Sequence, residues 1–371
     1  MEYELATTSY NNMTLDNTTS VWTTDAPEPP YRLVLWIILE SIIGSLGVIG
    51  NGLVLIVFFR SKSRHLVNLF IINQSMIDFT SSVVYLLIHL GPKVQLIPGN
   101  PVHSILCKVW VSEYVMWSLF ISSSTNLVCI TLERYIATMK PAWYRKKVVA
   151  VKKRIVVVAA CVWAFGFLID AIWAAVQKVF PGNLCVPIYS SPASQAISGI
   201  TIFFVTYLGP LSVMAFSYTS IVRKLRQQTA KVQAQSPART LSSRVNATEP
   251  RTVQGSLLNN KRNARASNTR SRATRNVIQT MMIVSATYAI TWAPIAFNYL
   301  IFNLGGPLDF TSVWYEVTKL FVHANMCANP FIYAMQYRQF QIGLKRLCCC
   351  CTKELANRDL TVSVLGPTSG T

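Results

Sequence analysis

Charge is scarce in this chain, and negative charge especially so. Of 371 residues only 13% are Asp, Glu, Lys or Arg, with 15 acids against 34 bases, and histidine occurs four times. A soluble globule of this length carries charge on roughly a quarter of its residues, so a water-facing fold is excluded. His65, His89, His103 and His323 stand in separate segments. A membrane enzyme needs such groups gathered with acids at one depth, so catalysis is not expected. No internal repeat is visible, inverted or parallel, which argues against a transporter or channel. Nothing before Leu33 has the basic start and apolar core of a cleaved signal peptide, so the first apolar run is expected to act as its own insertion signal.

What the chain has instead is oil. Hydrophobic side chains make up 51% of it, and about 20 predominantly apolar residues cross a bilayer as a helix. Seven such windows appear, near residues 33–59, 66–90, 106–137, 155–180, 197–222, 277–302 and 313–334. A soluble bundle would show polar faces at helical spacing, and these windows show almost none. The sequence therefore predicts an all-α membrane protein, a seven-transmembrane helix bundle.

Orientation follows from the bases. The first connection holds Arg60, Lys62 and Arg64, the third holds Arg145, Lys146, Lys147, Lys152, Lys153 and Arg154, and the fifth holds thirteen bases between Arg223 and Arg275. Those faces are cytoplasmic. The N-terminal segment, residues 1–32, carries Glu2, Glu4, Asp16, Asp25 and Glu28 and lies outside, with glycosylation sequons at Asn12 and Asn17. A third sequon, at Asn246, falls on the cytoplasmic side and should stay bare. The net charge of +19 sits at membrane edges with no nucleic-acid fold signature, so anionic lipid of the bilayer, and not nucleic acid, is the expected partner.

Residues 33–335 form the expected membrane domain, including a Ser, Asn and Arg-rich loop near 227–274 read as mostly disordered with helical ends. Residues 336–371 are a cytoplasmic tail. It opens with a short amphipathic surface helix using Phe340, Ile342, Leu344 and Leu347. Cys348, Cys349, Cys350 and Cys351 follow as palmitoylation candidates, since adjacent cysteines lack the spacing of a zinc site.

Several residues exceed what a passive bundle needs. Asp78 lies in mid-membrane, where an ionisable group is costly and marks function by default. Either it serves helix-to-helix hydrogen bonding, or Asn51, Ser123, Asn325 and Asn329 gather around it as an oxygen-rich cage for sodium. Glu133-Arg134-Tyr135 closes the third window with an arginine that can dock a cytoplasmic partner once freed. Pro210, Pro294 and Pro330 interrupt the fifth, sixth and seventh windows. Trp292 stands beside the second of these breaks. The run Asn329-Pro330-Phe331-Ile332-Tyr333 reads as a hinge with a phenolic latch.

Taken in order, Gly50-Asn51, Asp78, Glu133-Arg134-Tyr135, Trp163, Pro210 with Tyr218, Trp292-x-Pro294, Asn329-Pro330-x-x-Tyr333 and Phe340 resemble a rhodopsin-like, class A, G-protein-coupled receptor across the whole membrane region. The resemblance implies a Cys107–Cys185 disulfide, an extracellular ligand, and a heterotrimeric G protein as cytoplasmic partner, with arrestin and a receptor kinase. It implies that Glu133, Arg134, Tyr135, Pro210, Tyr218, Trp292, Pro294, Asn329, Pro330 and Tyr333 form the activation and coupling machinery. The chain departs from the pattern in three places. Cys107 and Arg134 lie two residues further apart than usual, Tyr288 replaces a Phe, and Thr274 stands where several relatives carry an acid.

Amine receptors of this class use an Asp where this chain has Tyr114 or Met116, depending on register. Opsins use a Lys where it has His323, so no Schiff base to retinal is expected and no cofactor is called for. Glu40, Glu113, Asp170, Glu316, Lys319 and His323 are read as a charged outer vestibule, with Glu40 paired to Lys319. Beneath lie Trp117, Tyr299 and Trp292. Glu113, Met116, Trp117, Trp292, Tyr299, Lys319 and His323 are thus the ligand-binding candidates, and a charged rim over an aromatic floor suits a peptide. A lipid or other small molecule is the alternative ligand.

Overall fold

The computed structural model describes residues 30–60, 66–144, 146, 153–182, 184–245, 253–308 and 312–348. Seven long helices cover the apolar windows: α1 (Pro30–Arg60), α2 (Leu66–Leu90), α3 (Tyr114–Met139), α4 (Lys153–Val176), α5 (Gly209–Val245), α6 (Val253–Asn303) and α7 (Val313–Gln336). A short α8 (Arg338–Cys348) follows. α1 packs on α2 and α7, α2 on α3, α3 on α4 and α5, and α6 on α7, which closes the ring. Large apolar side chains such as Ile49, Phe59, Val156, Leu168 and Ile290 stay exposed. In water such a surface would aggregate; here it is the lipid-facing belt.

Among the described residues six helices are long and apolar enough to cross a membrane. α7 has the length but is diluted by Glu316, Lys319, His323, Asn325 and Asn329. It belongs to the bundle because its face with Thr318, His323 and Asn329 turns inward and is buried.

The third window is not one straight helix. A short helix Pro101–Leu106, capped by the Asn100 side chain on Val102 N at 2.9 Å, runs into a π-helical turn Cys107–Val111. The chain then breaks at Glu113, which adopts a left-handed φ of 60° before α3 begins. The wide turn and the break absorb the two extra residues between Cys107 and Arg134. Cys107 and Cys185 form the disulfide implied by the family resemblance, with Cα atoms 5.6 Å apart.

Three boundaries differ from the sequence reading. The fourth window ends at Val176, because 177–180 form a strand, β1 (Gln177–Phe180), antiparallel to β2 (Leu184–Pro187), with Cys185 opposite Val179. The fifth begins earlier, as a helix Pro192–Phe203 with a capping box at Ser191, joined to α5 by a second π-helical turn, Phe204–Leu208. Finally, the segment read as mostly disordered, 227–274, is helical through Val245 and from Val253, while 246–252 lie outside the described residues. A helix already nucleated in the membrane extends at little cost through residues such as Ala, Gln, Arg and Leu.

α8 matches its expected amphipathic character. Phe340 is buried with its ring 6.1 Å from that of Phe58, Leu344 and Leu347 pack on the same core, and Ile342 remains exposed. Asn12, Asn17, Asn246, Cys349, Cys350 and Cys351 lie outside the described residues.

Candidate functional site

An aromatic cavity opens toward the outer face between α3, α4, α6, α7 and the helix that precedes α5. Trp117, Trp292, Tyr299, Asp170, Trp173 and Phe203 line it, among others. Three of these were candidates from sequence; Asp170 had been placed on the charged rim, and Trp173 and Phe203 had been missed. Trp173 meets Tyr299 with ring centroids 5.7 Å apart. Nothing at the level of sequence distinguishes such a wall from lipid-facing aromatics until the helix rotation is known. Met116 is not on the wall. It is fully buried in the core, because the break at Glu113 sets the rotation of α3 and turns position 117 to the cavity instead.

Asp170 is the unusual member. It is 5% exposed, and among the described residues its carboxylate accepts one long hydrogen bond, from Ser118 Oγ at 3.4 Å. A buried carboxylate with so little compensation is a strong acceptor for any cationic or donor group that enters.

Beside the cavity the polar rim closes on Glu113. Its carboxylate accepts from Trp117 Nε1 at 3.1 Å and lies 3.6 Å from Lys319 Nζ and 3.7 Å from His89 Nε2. Lys319 also approaches Glu316 at 3.8 Å. The expected pairing of Glu40 with Lys319 is not made: Glu40 lies 3.0 Å from His89 Nδ1. His89, weighed only as a catalytic candidate and not as part of the vestibule, intervenes because it stands on α2, between the two helices. His323 is buried and packed among the rings of Tyr85 at 4.4 Å, His89 at 5.6 Å and Phe120 at 5.8 Å.

Below the cavity Trp292 sits with ring centroids 6.4 Å from Phe120 and 5.4 Å from Tyr288. At mid-depth Asp78 is reached by Ser123 Oγ and Asn329 Nδ2, each at 2.8 Å, and by Gln74 Nε2 at 3.1 Å from both of its oxygens. Two expected members are elsewhere. Asn51 donates to the Met326 carbonyl at 2.8 Å, and Asn325 makes no contact with Asp78 among those described. Gln74 was missed, although a glutamine four residues before an aspartate on one helix shares its face. Sodium needs oxygen lone pairs, yet Gln74, Asn329 and Ser123 all aim donors at the carboxylate. The residues as arranged do not fit the ion.

At the cytoplasmic end Arg134 donates through Nε and Nη2 to the Glu133 carboxylate, which also accepts from the Tyr144 hydroxyl. Burial and the neighbouring Glu133 charge push the Tyr144 phenol above its ordinary pKa. The side chain of Thr274 lies outside those described, and Arg134 is held within α3 and the short helix Pro141–Tyr144 that follows it. Nearby, Tyr218 Oη lies 3.0 Å from Thr131 Oγ1 and 3.4 Å from Ser285 Oγ, while the buried Tyr333 hydroxyl has no partner among the described residues. Tyr135 leans outward against Phe216, ring centroids 6.0 Å apart.

Comparison with known proteins agrees with this layout. A family model described as "7 transmembrane receptor (rhodopsin family)" matches residues 50–333. The chain is 24% identical to galanin receptor 2b of Danio rerio over 89% of this chain and 79% of that one. It is also 24% identical to the human cholecystokinin receptor type A over 88% and 84%. A GQ-coupled rhodopsin of Mizuhopecten yessoensis is 25% identical over 85% of this chain and 61% of its own length. With the family model covering well over half of its length, the chain belongs to the rhodopsin family of seven-transmembrane receptors and is a multi-pass plasma-membrane G-protein-coupled receptor, not an enzyme.

Proposed function

We propose that this receptor binds an extracellular peptide in the aromatic cavity and passes the binding energy to a heterotrimeric G protein at the Arg134 face. The observation that carries the ligand class is the pairing of a nearly uncompensated Asp170 with aromatic walls, beneath a rim built from Glu113, Lys319, Glu316 and His89. A peptide carrying a basic group and an aromatic side chain satisfies both. Two of the relatives named above, the galanin and cholecystokinin receptors, are receptors for peptides. Retinal is disfavoured, although opsins are also among the relatives, because His323 offers no primary amine for a Schiff base.

Ligand entry favours the state in which α6 pivots about Pro294 and opens the cytoplasmic mouth, a shift of population set by differential affinity. Arrestin and a receptor kinase are the expected further partners, and acylation at Cys348 to Cys351 and glycosylation at Asn12 and Asn17 the expected modifications. The test is a peptide-library screen for nucleotide exchange in cells expressing the chain. Hits enriched in basic and aromatic residues, with Asp170→Asn weakening them about tenfold or more, support the reading. Activation by lipids alone, untouched by Asp170→Asn, overturns the peptide assignment. Arg134→Ala should keep ligand binding near normal and abolish exchange.

A further inference from the structure

We propose that the carboxamide of Gln74 is the resident partner of Asp78, occupying the place a monovalent cation would take, so that this receptor is indifferent to sodium. The argument is one of valence and of anchoring. A carboxylate offers about four acceptor positions, and here each oxygen makes two contacts, with a Gln74 amide hydrogen shared between them. Oδ1 accepts from Gln74 Nε2 at 3.1 Å and Ser123 Oγ at 2.8 Å; Oδ2 accepts from Gln74 Nε2 at 3.1 Å and Asn329 Nδ2 at 2.8 Å. The same amide nitrogen also donates to Ser123 Oγ, so it sits between the two side chains whose oxygens an ion would have to share.

Gln74 is fixed from behind. Its Oε1 accepts from Asn126 Nδ2 at 2.8 Å, Asn126 Oδ1 accepts from Asn73 Nδ2 at 2.9 Å, and Asn73 Oδ1 accepts from Trp163 Nε1 at 3.1 Å. Each of the four side chains donates to the next, from Trp163 on α4 through Asn73, Asn126 and Gln74 to Asp78, while Asn126 Nδ2 also reaches the Phe70 carbonyl at 3.1 Å. Gln74, Asn126 and Asp78 are essentially unexposed, and Asn73 is buried. For a cation to enter, Gln74 must swing away, stranding its own amide hydrogens and leaving Asn126 Nδ2, among its described acceptors, with the Phe70 carbonyl at 3.1 Å, which buried polar groups resist.

The experiment uses the full-length receptor purified in detergent and needs no ligand. Its thermal unfolding midpoint is compared in about 150 mM sodium chloride and about 150 mM potassium or choline chloride, since an ion bound only to the folded state raises that midpoint. The wild type should unfold at the same temperature in all three salts. Gln74→Leu, which keeps the volume and removes the amide, should gain a sodium-specific rise of a few degrees, and adding Asp78→Asn should cancel it. A sodium-specific rise in the wild type that Asp78→Asn abolishes overturns the proposal. So does a folded Gln74→Leu with no sodium response, which would show that something other than the amide excludes the ion. If Gln74→Leu does not fold, sodium titration of basal nucleotide exchange by the wild type in membranes decides: a flat response supports the proposal and a sodium-specific fall refutes it.

Discussion

The hydroxyl of Tyr288 on α6 donates to the backbone carbonyl of Thr206, in the π-helical turn that leads into α5. That carbonyl is four residues before Pro210, whose ring nitrogen has no hydrogen to give it. The same logic recurs at Pro330: the carbonyl four residues earlier, that of Met326, accepts from Asn51 on α1. At these two prolines, then, the freed acceptor is taken by a neighbouring helix, and a helix break becomes a tie between helices. The unusual Tyr at position 288 is explained by this, since a Phe could not make the bond.

Tyr288→Phe should accordingly cost about 1–3 kcal/mol, the range for a buried acceptor left unmatched. A lower thermal midpoint of the purified receptor is the direct measurement. Because the bond holds α6 against the outer half of the fifth rod, basal nucleotide exchange should also rise. Unchanged stability and unchanged basal exchange together would remove the tie from the account.

The ion pair of Glu113 and Lys319 joins the break above α3 to α7. Lys319→Met should destabilise by roughly 1–3 kcal/mol, below the figure for a fully buried pair because both side chains keep some exposure. Combining it with Glu113→Gln should recover much of the loss, as the stranded charge is then gone. Thermal unfolding of the two variants reads this directly; additive losses would mean that the two groups do not act as a pair.

At the cytoplasmic end, Glu133→Gln should raise agonist-free exchange by freeing Arg134, and Tyr144→Phe should do so more weakly, since it removes one of the bonds that orient the carboxylate. Nucleotide exchange in membranes, normalised to surface expression, distinguishes them. Equal or absent effects would disconnect Tyr144 from the arginine's restraint.

Gly166 brings α4 against α3. A Cβ built there would lie 2.3 Å from the Ser118 carbonyl oxygen and 2.1 Å from Ser122 Oγ. The first is backbone and cannot step aside. Gly166→Ala should therefore cost on the order of 1–3 kcal/mol through displacement of the two helices, seen as reduced surface expression and a lower midpoint. Wild-type behaviour would mean that α4 shifts freely.

Much of this architecture is legible in the linear chain because a bilayer imposes a simple requirement on it. Apolar runs of spanning length mark α1 to α6 whatever their neighbours do, and bases at alternate connections orient them. Legibility fails where a side chain's direction depends on rotation of its helix. Glu113, Trp117 and Met116 are near neighbours in sequence, yet the left-handed residue at Glu113 sends the second to the cavity and the third into the core. Glu40 and Lys319 have opposite charge, but His89 stands nearer. Asp78 announces itself as a costly mid-membrane acid, whereas Gln74, a neutral residue one turn away, gives no such signal until its amide is seen between both carboxylate oxygens.

Composition and order thus determined that the chain enters a membrane, which way it faces, and where its helices are weakened by proline, since these depend on local chemistry against a fixed solvent. Which side chains converge was decided only by the tertiary structure. Partner choice inside the bundle depends on distances of a few ångströms between residues as far apart as Asn51 and Met326 or Asp78 and Asn329, and no local pattern records how two helices are rotated about their axes.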